Sequence, residues 1–246
     1  MPKSLLFFIL VSVFGLSTTL MLALRSPTVL EGFVLRRYIV GSLFALICVF
    51  GIAAAIMPRR CLTSPHFEGR TKTPVIQSGN GQKQTETKGH HPDCEAFAAH
   101  VTGLNTHVLC AACSGLSLGA VLALFGTVLY FFVGLGNGLV GFYLVLIGAT
   151  SLVLGFFELK FKGVARLFLN TLFVLGAFSI LAGIDHLASF SIDLFVLMLI
   201  LFWLLTRVLL SQWDHSRICH ECRFSCSKKE GWDAVNIYGV IRREPR

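Results

Sequence analysis

Up to Thr206 the chain is built around six apolar blocks, each near the roughly 20 residues a helix needs to cross a hydrocarbon layer about 30 Å thick. They cover residues 4–24, 38–57, 114–133, 138–157, 167–184 and 187–206, and the first four hold no charged side chain. Such runs do not interleave polar residues at the period of a soluble helix or strand, so a bilayer is the expected solvent. A barrel is excluded by the same pattern, because lipid-facing strands alternate polar and apolar residues whereas Leu194 to Leu205 does not. The fold class expected is all-α, a polytopic helical membrane protein with about six spans. Composition agrees: 54% of the 246 residues are hydrophobic and 14% charged. Residues 4–24 are read as the first span rather than a cleaved leader, because leader cores are about 7 to 15 residues long.

The last two blocks are less clean than the first four. Residues 167–184 are short at their far end, and Asp193 falls about two turns inside residues 187–206. Asp185, His186 and Asp193 are therefore expected to mark a hydrated connection. Glu158, at the end of the fourth span, is expected to pair with Lys160 or Lys162.

Basic residues are retained on the cytoplasmic side of short connections. With the N-terminus inside, 18 of the 21 Lys and Arg residues fall inside, and only Arg25, Arg36 and Arg37 outside. Both termini are then cytoplasmic. This asymmetry accounts for the formal charge of +8 without nucleic acid, so no nucleic-acid partner is expected. The partners expected are the bilayer, whose anionic headgroups Arg59 and Arg60 are placed to meet, and a protein at the cytoplasmic face.

The organisation expected is two spans within 1–57, a polar tether at 58–89, a Cys/His segment at 90–113, four spans within 114–211 and a Cys/His tail at 212–246. The tether is rich in Ser, Thr, Gly, Gln and Lys, with little to build a core. The segment after it changes character. His91-Pro92-Asp93-Cys94 is followed, after fifteen residues, by Cys110-Ala111-Ala112-Cys113. H-x2-C with C-x2-C has the spacing of two zinc knuckles, each offering two ligands to one tetrahedral ion. His100 and His107 are alternatives to His91 as fourth ligand. Just past the last span, His215, Cys219, Cys222 and Cys226 form a second candidate set, with His220 an alternative. Three cysteines in such a run are also compatible with an iron-sulfur cluster or a redox thiol. Zinc is the cofactor expected at both, because cytosolic thiols stay reduced and open to a borderline-soft ion.

Cys48, amid the second span, reads as a packing residue, and Cys61 as an idle thiol. Gly115 and Gly119, with Ala123 one turn on, form a small-residue face for close helix approach, within the chain or between copies. An oligomer is compatible with that face but does not follow from it.

The residues His90-His91-Pro92-Asp93-Cys94, Phe97, His100-Val101 and Cys110-Ala111-Ala112-Cys113-Ser114-Gly115-Leu116 resemble a family of small prokaryotic multi-pass membrane proteins of unknown function. In that family a Cys-Ala-x-Cys-x-Gly motif likewise opens a transmembrane helix. The resemblance covers about 40 residues; it implies a prokaryotic cell-membrane protein and brings no activity with it. No nucleophile motif, phosphate-binding loop or haem-attachment motif occurs. The expectation is a non-enzymatic protein whose zinc-stabilised cap serves interaction, scaffolding or metal sensing. A membrane redox protein and a metal-ion transporter are the competing readings.

Overall fold

In a bilayer each backbone N–H and C=O must find its partner inside its own segment, which makes apolar blocks of this length helical. A computed structural model describes residues 3–25, 35–56, 87–88, 91–92, 101–104, 107–134 and 141–221. Six of its helices are long and apolar enough to cross a membrane. In chain order the elements are α1 (Lys3–Leu24), α2 (Arg36–Ile56), β1 (Thr87–Lys88), β2 (His91–Pro92), β3 (Val101–Leu104), β4 (His107–Cys110), α3 (Ala111–Thr127), α4 (Gly141–Phe156), α5 (Gly163–Leu187) and α6 (Phe190–Glu221). A π-helical turn, Val128–Phe132, extends α3, and a 3-10 turn, Phe157–Lys160, closes α4. The protein is an all-α polytopic membrane protein, and its described strands form only two short antiparallel ladders.

Exposure is inverted relative to a water-soluble fold. Phe7, Phe14, Phe50, Phe125 and Met198 face outward, with Phe14 73% exposed. Glu158, Arg166, Asn170, Asp193 and Arg207 are instead buried among the helices. Helix hydroxyls return to their own backbone, as where Thr127 Oγ1 donates to the Ala123 carbonyl at 2.7 Å, so that the donor is satisfied in an apolar medium.

Helix α5 forms the centre, with α3 and α4 packed along it. Glycines make both approaches possible. On α4, Gly141, Gly148 and Gly155 recur every seven residues, and α5 answers with Gly176 and Gly183. A Cβ at Gly148 would lie 2.6 Å from the Gly176 carbonyl oxygen, and one at Gly176 would lie 2.7 Å from that of Gly148, so neither backbone tolerates a side chain. The face of Gly115 and Gly119 is used inside the chain: a Cβ at Gly119 would sit 2.9 Å from the Thr171 carbonyl oxygen. Cys48 is 3% exposed within the core, in keeping with a packing role.

Helix α1 lies against α6 through polar contacts the bilayer cannot replace. Ser12 Oγ and Thr206 Oγ1 are 2.9 Å apart, and the buried indole of Trp203 donates to the Ser12 carbonyl at 3.2 Å. Helix α2 packs on α3, with Phe131 pressed against Gly41.

The last two helices differ from the blocks expected at 167–184 and 187–206. Helix α5 runs from Gly163 through Leu187, so Asp185 and His186 are its last turn rather than a connection. Helix α6 begins at Phe190, which puts Asp193 in its first turn instead of two turns in. It continues to Glu221, well past residue 206, so the first part of the expected tail is helical. The physical reason is one and the same: charges that interrupt an apolar run read as solvent-facing, but here they are paired across helices. The tether at 58–89 lies outside the described residues except for β1.

Candidate functional site

The thiol pair stands where a hairpin meets a helix. Strands β3 and β4 pair with Val101 opposite Cys110 and Leu104 opposite His107. Cys110 ends β4 in extended backbone (φ −69°, ψ 118°) and is the N-cap of α3, making no side-chain capping hydrogen bond. Cys113 follows in the first helical turn, where free backbone N–H groups and the helix dipole favour negative charge. Neither thiol is in a disulfide, Cys110 is buried and Cys113 half-buried, and the two are in side-chain hydrogen-bond contact. Gly115, two residues past Cys113, lets this first turn of α3 press on α5. A Cβ there would collide with the Leu167 carbonyl oxygen.

Directly behind this turn lies a sealed ionic set. Thr171 Oγ1 donates to the Gly115 carbonyl at 3.0 Å, and a Cβ at Gly115 would lie 2.8 Å from that of Asn170. Asn170 Oδ1 accepts from Arg207 Nη2 at 2.7 Å, while the Asn170 amide donates to Glu158. Glu158 is paired with Arg207, and with Arg166 Nη2 at 3.3 Å. Arg166 also reaches Asp214 at 3.5 Å, and Arg217, 57% exposed, reaches the same Asp214 at 3.2 Å. The side chains of Glu158, Arg166, Arg207 and Asp214 are 0%, 1%, 2% and 3% exposed. Glu158 thus pairs with arginines of α5 and α6 and not with Lys160 or Lys162, because a buried carboxylate needs partners that can be buried with it. Cys113 lies within electrostatic reach of both Arg207 and Glu158.

A second ionic set occupies the opposite end of the bundle. Arg36 Nε is 2.7 Å from Asp193 and 3.5 Å from Asp185, and its Nη2 donates to the Asp185 carbonyl at 2.9 Å. Arg37 is 3.4 Å from the same Asp185. The π-helical turn brings Tyr130 inward, where its hydroxyl donates to the Ala182 carbonyl at 2.9 Å and to Asp185 at 3.0 Å. The hydrated connection expected at Asp185, His186 and Asp193 is thereby corrected: both carboxylates are buried, 1% and 0% exposed, and His186 packs edge-on to Tyr130.

Of the predicted ligands, only Cys110 and Cys113 have described side chains, and the structure brings them together. His91 lies on β2 and His107 on β4; His215, Cys219 and His220 lie on α6, which carries the chain on as a helix into the expected Cys/His tail. Cys94, His100, Cys222 and Cys226 fall outside the described residues, as does Cys61. Among the described residues, no group of three or more His, Cys, Asp or Glu side chains is arranged to hold a metal ion. The ionic partners Arg166, Asn170, Arg207, Asp214 and Tyr130 were missed from sequence. Their only sequence signal is polarity at the edges of apolar runs. Comparison with known protein families, curated proteins and solved structures finds no match to this chain.

Proposed function

We propose that this membrane protein binds zinc through Cys110 and Cys113 with Cys94 and His91, His100 or His107, in a small cap that serves metal sensing or interaction with a protein partner. The observation that carries the reading is the placement of two adjacent, non-disulfide thiols at the junction of a hairpin and a helix, in the first turn of α3. Thiolates suit a borderline-soft ion, and a helix N-terminus favours the negative charge they bring. One pair of ligands from residues 91–107 and one from the start of α3 would let the metal order a segment with little core of its own. His215, Cys219, Cys222 and Cys226 form a second zinc set on this reading.

The same reading places the thiols in the cytoplasm of a prokaryotic cell. Two of the three basic residues counted against that orientation, Arg36 and Arg37, are engaged by Asp185 and Asp193, which offsets their weight as free positive charge.

Elemental analysis of detergent-purified protein tests the proposal. Wild type is expected to carry two zinc ions, and Cys94→Ala and Cys222→Ala one each. Loss of all metal in either variant would point to one shared site, and a wild type without zinc would end the reading. Visible absorption near 400 nm would favour an iron-sulfur centre.

A further inference from the structure

The thiol turn meets the ionic set at Asn170, which in turn holds Arg207. Its Nη2 is held by Asn170 and its guanidinium by Glu158, while its Nε is buried with no hydrogen-bond partner among the described residues. The first turn of α3 presses on Asn170 itself, through Gly115. Within this set Glu158 and Asp214 face Arg166, Arg207 and Arg217, which leaves one positive charge to offset that of thiolates held by a metal.

We propose that Arg207 is the positioning residue of the C-x2-C metal site, balancing the charge of the metal-bound sulfurs and tying the state of the site to α6. The inference rests on the zinc reading above. Groups behind metal ligands orient them and tune their charge, and a buried donor without an acceptor is costly to leave so. Glu158 acts in the opposite sense. It lies within electrostatic reach of the same Cys113, and without Arg207 its charge would be less offset.

The test uses the full-length protein in detergent, with zinc affinity from chelator competition and cobalt(II) absorption to report the thiolate ligands. Arg207→Gln is expected to weaken zinc binding by roughly 10- to 100-fold with the cobalt charge-transfer band unchanged at saturation. Glu158 retains Arg166 and Asn170 in that variant. Glu158→Gln is expected to bind zinc as tightly as wild type or more tightly. A merely structural role would weaken both variants alike, and that result, or a folded Arg207→Gln with wild-type affinity, overturns the proposal. Should either variant fail to fold, hydrogen exchange in wild type decides: zinc is expected to slow the amides around Arg207, and no change overturns it. Wild type that takes up neither metal sinks the zinc reading together with this one, whereas zinc-binding wild type with insensitive variants sinks only the role of Arg207.

Discussion

The two ends of the bundle solve the same problem, charges inside a membrane protein, in different ways. At the thiol end both signs are buried, with Arg166 1% and Arg207 2% exposed, while Arg217, on Asp214, stands at the rim at 57%. At the opposite end only the carboxylates are sealed, and Arg36 and Arg37 lean outward at 12% and 41%. A fully buried set has no water to fall back on when one member is lost, whereas an arginine at the rim keeps part of its hydration. The first end should therefore be brittle and the second forgiving.

The largest effect is expected from Glu158→Ala, which takes a buried carboxylate from both Arg166 and Arg207; about 3–5 kcal/mol should be lost in unfolding measurements in mixed micelles. Arg36→Ala should cost less, about 2 to 3 kcal/mol, because Arg37 still reaches Asp185 although Asp193 loses its 2.7 Å ion pair. Equal losses in these two variants would erase the contrast between the ends. Tyr130→Phe removes one hydroxyl donor and should cost about 0.6 kcal/mol, up to roughly 1.7. An unchanged melting curve there would mean that the π-helical turn is held by packing alone. Arg37→Ala is expected to be the mildest, about 0–1 kcal/mol and reduced by salt, as for an exposed pair.

The spans were legible because apolarity over twenty residues is a local property of the chain. Of the candidate site, the part legible in the sequence is the part whose signal is local too, as in Cys110-x2-Cys113. What could not be read is partner choice across the bundle: Arg36 and Asp193 are 157 residues apart, and Ser12 and Thr206 are 194 apart. Without those partners in view, Asp185 read as a loop and Glu158 as a neighbour of Lys160. The same blindness shortened α6, whose Arg207 and Asp214 look like the start of a solvated tail until Glu158 and Arg166 are placed beside them.

The length of α6 has a mechanical consequence. Its 32 residues span about 48 Å at 1.5 Å per residue, more than the roughly 30 Å of hydrocarbon. The stretch from Trp203 to Glu221 stays tied to the bundle at Arg207 and Asp214, so about 10 Å of helix projects past that ionic set. A tilt of that projecting end would pull on two buried ion pairs, so an event outside the bilayer reaches the middle of the bundle through Asp214 and Arg207.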